Sequence, residues 1–204
     1  IDKNLAKYGY TTNDITDVFL THLHFDHCGG SIVREGDKLV PAFKNAVYWT
    51  NKTHWQSALT PNERERASFL KENILPIEAS GQMKFVDTLD GEEWMPDIRI
   101  RYVNGHYDNM MLPQINCNGT TILYCADLIP SSAHISMPWV MAYDMRPLVT
   151  LNEKHKLLNE AIANNWVLFF EHDPKNECAS LQQTEKGVRL KETFVLSELD
   201  SKVK

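Results

Sequence analysis

The sequence predicts a single α/β domain over residues 1–204, and three observations lead to that class. Hydrophobic residues make up 43% of the 204 residues and charged residues 24%, which is the balance of a globular protein. Apolar, strand-like runs alternate with helix-like stretches along the chain. No repeat, low-complexity tract or Pro/Gly/Ser-rich linker divides the sequence. Together these features exclude collagen-like, disordered and disulfide-scaffold proteins.

The first half of the chain is expected to alternate short strands with helices. Strands are expected where apolar runs have strand length, at residues 16–21, 46–50 and 83–86. Helices are expected at residues 51–59 and 61–71, with a shorter one beginning at Ser31. The second of these helices has a proline at its first turn and alternates Glu with Arg.

The second half continues this alternation around one long irregular segment. Strands are expected at residues 98–103, 110–115, 121–126 and 166–170, with one or two more at 181–199. The stretch 151–165 has the apolar spacing of an amphipathic helix. Residues 128–147 carry three prolines and are expected to form a long loop, which in a compact domain is usually functional or covers a site. The Lys-rich end of the chain is expected to fray.

The most informative segment is the motif His-Leu-His-Phe-Asp-His at residues 22–27, directly after the first expected strand. Residues two apart in an extended chain point the same way, so His22 and His24 can offer both imidazoles to one metal ion. Asp26 and His27 come after a change of direction and can face a second metal nearby. Imidazole together with carboxylate suits zinc first, with iron and manganese as alternatives. The competing interpretation is a set of surface histidines on a turn.

Further ligands are expected at later strand ends, because four residues leave two metal ions under-coordinated. His106 follows the apolar run 98–103 through a glycine turn. Asp127 and His172 each follow a later apolar run in the same way. A lone histidine after a strand is more often not a ligand, but three such residues behind the motif strengthen one another.

These pieces together resemble the metallo-β-lactamase superfamily of hydrolases. The resemblance rests on the motif at residues 22–27 and, in the same order, on Gly105-His106, Ala126-Asp127 and Glu171-His172-Asp173-Pro174. It implies an α/β (α+β layered) fold, a four-layer αββα sandwich of two mixed sheets with a metal pair at one edge. It implies that the first metal is held by His22, His24 and His106, that the second is held by Asp26, His27 and His172, and that Asp127 bridges them. Retention of both Asp26 and His27 is similar to the dinuclear branches, such as the lactonases, glyoxalase II and the organophosphate hydrolases.

The sequence departs from that family in two places. Tyr107 follows His106 where the family usually has a small hydroxyl residue. Only 21 residues precede His22, whereas family members have about a sheet's worth of strands before the motif, and the chain opens with Ile1 rather than Met. We therefore expect the usual N-terminal strands to be missing from this chain and the domain to be N-terminally incomplete.

The ligand set predicts a metal-dependent hydrolase of the dinuclear, zinc type. Two divalent ions about 3.5–4 Å apart lower the pKa of a bridging water, and the resulting hydroxide attacks a carbonyl or phosphoryl centre. Asp26 is expected to act catalytically by orienting that hydroxide. The expected substrate is a small ester, lactone or related carbonyl compound. Phosphodiester, phosphotriester and β-lactam hydrolysis are the enzymatic alternatives, and a non-catalytic metal-binding protein is the alternative of another class.

Several residues outside the ligand set receive separate interpretations. His134 and Tyr143, both in the long loop, are candidate substrate-binding residues, the first facing either the pocket or the surface and the second supporting a developing oxyanion. Asp144 is interpreted as a turn or cap residue and His54 as a packing or surface residue. Cys28 is expected to be a small packed residue, with a reactive thiol as the alternative.

Charge and hydropathy limit the partners of this protein. A formal charge of −6 is a poor match for a phosphate backbone, so a small-molecule substrate is expected and a nucleic acid is not. No apolar run approaches the roughly 20 residues of a membrane span, and the oligomeric state is left open. The four cysteines contain no CxxC pair and favour a reducing compartment. We expect a cytoplasmic location, with a periplasmic or secreted one left open because the N-terminus is expected to be missing.

Overall fold

The computed structural model describes residues 1–202, and the chain divides into two compact units. We call them unit 1, Ile1–Asp87, and unit 2, Thr88–Lys204, of which residues 88–202 are described. Each unit combines strands with helices, as expected for an α/β protein. The organisation of residues 1–204 as one domain stays a prediction. Among the described residues, no helix combines the length and the apolar character that a bilayer crossing requires.

Unit 1 contains a parallel sheet, a β-hairpin and helices. Its elements are α1 (Asp2–Ala6), β1 (Asp17–Phe19), α2 (Phe25–Cys28), β2 (Ile32–Glu35), β3 (Lys38–Pro41), β4 (Val47–Thr50), α3 (Lys52–Leu59), α4 (Lys71–Ala79) and β5 (Met83–Phe85). The strands β1, β4 and β5 pair in parallel in that order, and β2 pairs with β3 as an antiparallel hairpin. The backbone N–H of Leu20 still donates to the carbonyl of Trp49 beside the sheet. The chain therefore leaves the sheet directly before the motif at residues 22–27.

Unit 2 is built on one seven-stranded mixed sheet. Its elements are β6 (Glu93–Met95), β7 (Ile98–Val103), β8 (Met110–Cys117), β9 (Thr120–Tyr124), α5 (Pro147–Ala163), β10 (Val167–Phe169), β11 (Cys178–Thr184), β12 (Gly187–Phe194) and α6 (Leu199–Lys202). The strand order is β12-β11-β10-β9-β8-β7-β6, with β9 and β10 parallel and the other neighbours antiparallel. Because β7, β9 and β10 run in the same direction, their carboxyl ends lie at one edge of the sheet.

The core of unit 2 is formed by its central strands together with α5. Leu112, Leu123 and Leu168 from β8, β9 and β10 belong to the same buried cluster as Leu157 and Leu158 of α5. The buried apolar residues of α5 fall on one helical face, so the helix packs that face inward. Packing on this scale makes the sheet edge a firm support for the loops that follow the strands.

The predictions of a helix are wrong for two segments of unit 1. The residues after Ser31 form the hairpin β2–β3, because Gly36, with a φ of 60°, opens a two-residue loop that suits tightly paired strands. The stretch 61–71 does not form one helix, because the Asn62 side chain accepts a hydrogen bond from the backbone N–H of Arg64 and begins a separate turn. The helix α4 begins only at Lys71.

The remaining expected elements are confirmed to within a few residues at their ends, and β6 is an additional strand that was not expected. The stretch 181–199 forms parts of the two strands β11 and β12 and a following turn. The expected fraying of the Lys-rich end falls partly on residues 203–204, which lie outside the described residues. The expectation that strands precede Ile1 stays a prediction.

Candidate metal centre

In unit 1, the motif at residues 22–27 gathers two histidines where the chain has left β1. His24 is extended, with φ −62° and ψ 150°, and is the N-cap residue of α2. The rings of His22 and His24 lie edge to face with 4.7 Å between their centroids, and the ligand atoms that they offer lie within 4.8 Å of each other. Both side chains are buried. The extended segment thus brings the two imidazoles together, as its alternation predicts.

The expected change of direction after His24 is the first turn of α2, which carries Asp26 and His27. The centroid of the His27 ring lies 3.9 Å from that of His22. Nε2 of His27 lies 3.6 Å from Oδ2 of Asp26, whose side chain is 43% exposed. A carboxylate in this position is accessible both to a metal ion and to a water molecule. We call His22, His24, Asp26 and His27 the histidine cluster.

Neighbouring hydrogen bonds orient this segment. Oγ1 of Thr21 lies 3.1 Å from Nδ1 of His22, which is the kind of contact that sets the ring orientation of a metal-binding histidine. Sγ of Cys28 donates to the carbonyl of Leu23 at 3.3 Å. Burial, reinforced by the charge of Asp26, raises the pKa of the Cys28 thiol to about 12. Cys28 is therefore a packed, protonated residue, as favoured from the sequence, rather than a nucleophile.

In unit 2, the carboxylate of Asp127 lies between two histidines that follow different strands. Its Oδ2 lies 3.1 Å from Nε2 of His106, and its Oδ1 lies 3.2 Å from Nε2 of His172. Asp127 follows β9, His106 follows β7 and His172 follows β10, so the shared sheet edge brings together residues that are distant in sequence. Ala126, directly before Asp127, has a φ of 40°, a strained conformation of the kind that clusters at functional sites.

His106 is held between two carboxylates. Its Nδ1 lies 2.9 Å from Oδ1 of Asp144, and both side chains are buried. Burial opposes a charge on this imidazole, but the hydrogen bonds to Asp127 and Asp144 prevail and raise the pKa of His106 to about 9. Asp144 also forms the turn expected of it, since its Oδ2 accepts from the backbone N–H of Met141 at 3.3 Å. Its role as the partner of His106 was missed because the two residues are 38 positions apart.

The loop that carries His106 is fixed by the start of α5. The carboxylate of Glu153 accepts from the backbone N–H groups of Asn104, at 2.7 Å, and of Gly105, at 2.9 Å. The Arg146 guanidinium donates to the carbonyl of Asn104 at 2.6 Å. A Cβ at Gly105 would lie 2.3 Å from the backbone nitrogen of Thr150, so only glycine allows this close approach.

Glu171 is a further carboxylate at this edge of the sheet and is not among the ligands expected from the sequence. The ligand atoms of Glu171, Asp127 and His172 lie within 4.8 Å of one another. Burial raises the pKa of Tyr124, and the charge of Glu171 and a hydrogen bond to it raise that pKa further, so the phenol stays protonated and donates. The position of Glu171 directly before His172 is the sequence feature that could have identified it as a candidate ligand. We call His106, Asp127, Asp144, Glu171 and His172 the aspartate cluster.

The two candidate substrate-binding residues of the long loop differ in their surroundings. His134 is half-buried, and its Nδ1 shares a hydrogen bond with Oγ of Ser131 at 2.8 Å. Burial and the positive charge of Lys154 lower the pKa of His134. Tyr143 is 73% exposed. The roles of both in substrate binding, and of Asp26 in catalysis, stay predictions.

The donors of both clusters fit divalent metal ions. The histidine cluster offers imidazole and one carboxylate, and the aspartate cluster offers imidazole and several carboxylates, which is the nitrogen and oxygen donor set that zinc uses. At His106, a hydrogen bond from Nδ1 to Asp144 directs the other ring nitrogen toward the carboxylate of Asp127. A divalent cation at Nε2 of His106 would accept the imidazole lone pair and would also be attracted by the Asp127 carboxylate.

Comparison with known proteins assigns the chain to a family. The family model described as the metallo-beta-lactamase superfamily matches residues 3–172. An N-acyl homoserine lactonase of Bacillus thuringiensis is 23% identical over 176 residues, which is 85% of this chain and 62% of that protein. The chain therefore spans less than two thirds of the length of the curated relatives that it matches.

Solved structures share the fold of the chain. A probable metal-dependent hydrolase from Staphylococcus aureus has a TM-score of 0.80 and 26% identity, over 96% of this chain and 69% of that one. AidC, a dizinc quorum-quenching lactonase in complex with a product, has a TM-score of 0.80 and 22% identity, over 95% of this chain and 70% of that one. The α/β fold and the family expected from the sequence are confirmed, and the chain belongs to the metallo-β-lactamase superfamily.

Proposed function

We propose that this chain is a metal-dependent hydrolase that binds two divalent ions, with zinc expected, and cleaves a small ester or lactone. The observation that carries the proposal is the carboxylate of Asp127, each of whose oxygens lies close to a different histidine, at 3.1 Å from His106 and 3.2 Å from His172. A carboxylate in this position can serve two cations at once. Because the chain spans only part of its relatives, the activity itself is part of the proposal.

The proposal requires the histidine and aspartate clusters to serve one metal pair. The family pattern assigns the first ion to His22, His24 and His106, the second ion to Asp26, His27 and His172, and the shared position to Asp127. Glu171 adds a carboxylate for the second ion, since its ligand atom lies within 4.8 Å of those of Asp127 and His172. The number of donors then suits two ions with room for a water or a substrate.

The residues of the chain prepare the reaction in distinct ways. When bound, the metal pair would supply Lewis-acid polarisation of the scissile carbonyl and a more acidic water. Asp26, with its half-exposed carboxylate, accepts a hydrogen bond from the attacking water and so orients it. Asp144 and Asp127 fix the ring of His106. His134 and Tyr143 contact the substrate from the long loop.

The relatives favour a lactone among the carbonyl substrates. The Bacillus thuringiensis relative is an N-acyl homoserine lactonase, and a second solved lactonase contains the product N-hexanoyl-L-homoserine at its catalytic metal centre. We therefore propose an N-acyl homoserine lactone as the first substrate to test. Opening of the lactone ring releases a carboxylic acid, so the reaction can be followed by proton release.

The test measures zinc content and substrate range on the full chain. We expect about two equivalents of zinc and faster hydrolysis of N-hexanoyl homoserine lactone than of a thioester, an aryl phosphate or nitrocefin. His24→Ala should lose most of the lactone hydrolysis, because it removes an imidazole from the histidine cluster. His155→Ala is the matched control, since His155 lies on the exposed face of α5.

Three results would contradict the proposal. Less than one equivalent of bound zinc would exclude a dinuclear site. Wild-type lactone hydrolysis by His24→Ala would exclude the metal-dependent mechanism. Faster turnover of the aryl phosphate or of nitrocefin would move the substrate class to one of the enzymatic alternatives.

A further inference from the structure

A buried histidine outside the proposed ligand set lies against the motif in unit 1. His54, on α3, has no exposed surface, and its Nε2 accepts a hydrogen bond from the backbone N–H of Leu23 at 2.9 Å. Leu23 is the residue between His22 and His24, and it is also fully buried. The interpretation of His54 as a packing or surface residue is therefore incomplete, because its ring makes a specific contact with the motif.

The start of α3 fixes the position of His54. Asn51 is the N-cap of this helix, and its side chain accepts from the backbone N–H of Thr53, at 2.9 Å, and of His54, at 3.1 Å. The His54 ring then lies edge to face with the ring of His22, at 6.3 Å between centroids. The cap, the helix and the ring thus form a short, rigid connection from β4 to the motif.

The amide of Leu23 depends on this contact. The parallel pairing of β1 with β4 ends at Phe19, and Leu20 makes the next backbone hydrogen bond, so Leu23 lies beyond the sheet. A buried N–H group needs an acceptor, and here the acceptor is an imidazole nitrogen. Without it, the peptide would have to rotate or open toward water, and the alternation that brings His22 and His24 together would be lost.

We propose that His54 is a positioning residue for the metal site, and this inference rests on the proposed function. Its Nε2 accepts from the Leu23 amide and so fixes the peptide between His22 and His24, which keeps their imidazoles facing one ion. Accepting at Nε2 requires a neutral ring with its proton on Nδ1. The same Nε2 lone pair is therefore not offered to a metal, which separates His54 from the ligands.

The experiment compares two substitutions of His54 with a control on α5. His54→Leu removes the acceptor while keeping a buried side chain, and His54→Gln restores an acceptor oxygen at a similar reach. His155→Leu, at an exposed position, controls for the loss of a histidine. Hydrogen exchange of the Leu23 amide in the metal-free protein reports the contact itself. Zn²⁺ affinity, measured by competition with a chromophoric chelator, reports its consequence, and melting of the metal-free protein reports stability.

We expect His54→Leu to exchange the Leu23 amide at least about tenfold faster than the wild type and to bind Zn²⁺ about 10–100-fold more weakly. His54→Gln should recover both values to within a few-fold. If His54→Leu does not fold, His54→Asn replaces it, because its shorter side chain places the acceptor out of reach.

Two results would overturn the inference. One is wild-type Zn²⁺ affinity in the variant without an acceptor. The other is a His54→Gln protein that protects the Leu23 amide but binds Zn²⁺ as weakly as His54→Leu. If the wild type itself bound no Zn²⁺, the proposed function would fail, and the metal part of this inference with it. The exchange rate of the Leu23 amide would still decide separately whether His54 holds the segment.

Discussion

The histidine cluster and the aspartate cluster hold their side chains by different physical means. The histidine cluster comes from six consecutive residues, its rings pack against one another, and its backbone is fixed by His54. The aspartate cluster collects residues from three strand ends and from the long loop, and it is held by hydrogen bonds between imidazoles and carboxylates. The first cluster needs a local turn and one contact with α3 through His54, whereas the second needs the ends of β7, β9 and β10 to meet at one edge of the sheet. We therefore expect substitutions in the two clusters to affect metal binding differently.

The largest expected difference between the clusters is in the number of ions lost. In the proposed arrangement, Asp127 serves both ions and His24 serves one. Asp127→Ala should therefore lose both zinc ions and all measurable lactone hydrolysis, while His24→Ala should keep about one equivalent of zinc. Zinc analysis of both variants after dialysis against the same buffer measures this directly. Equal losses in the two variants would contradict the shared role of Asp127.

A smaller effect is expected when the partner of His106 is changed. Asp144→Ala removes the carboxylate 2.9 Å from Nδ1, and we expect zinc affinity to fall about 10–100-fold. Asp144→Asn keeps an acceptor oxygen but loses the charge, so its affinity should lie between that of Asp144→Ala and that of the wild type. Chelator competition on the three proteins gives the order. An Asp144→Ala protein with wild-type affinity would reduce Asp144 to the turn residue that the sequence suggests.

The contrast between local and long-range contacts explains which parts of the site could be predicted from the sequence. The motif at residues 22–27 is local, so alternation along an extended chain followed by a turn is enough to predict how its side chains are grouped. His106, Asp127 and His172 could be placed at strand ends because each follows an apolar run, and the sheet brings them to one edge. The α/β class follows from the same alternation of strands and helices.

The residues that sequence reasoning missed act through contacts between distant segments. His54 is 31 positions from Leu23, and Asp144 is 38 positions from His106. Nothing in their immediate neighbourhood distinguishes them from packing or turn residues. The wrong helix at residues 61–71 has the opposite cause, because one side chain at Asn62 redirects a segment whose composition favours a helix.

Lys154, on α5, connects this helix to the long loop. It is fully buried, and its Nζ donates to the carbonyls of Ser136 at 2.8 Å, Met137 at 3.3 Å and Trp139 at 2.6 Å. These residues lead toward Asp144, so Lys154 helps to support the aspartate cluster from the loop side. Burial lowers the pKa of Lys154 to about 8, with the charge of Asp144 acting in the opposite direction.

An effect that does not involve metal binding is expected from this lysine, as a pH dependence of stability. Its pKa is about 8 in the folded chain against an ordinary 10.5, so between these values the unfolded chain binds more protons. Lys154 should therefore contribute an increase in the free energy of unfolding of the metal-free protein between pH 8 and 10.5, by up to about 3 kcal/mol for this group. Lys154→Met should lack that increase, whereas Lys156→Met, at an exposed position on the same helix, should keep it.

Urea unfolding at a series of pH values measures the difference between each variant and the wild type. If the curves of Lys154→Met and the wild type stayed parallel, the buried ammonium would be fully compensated by its three carbonyls.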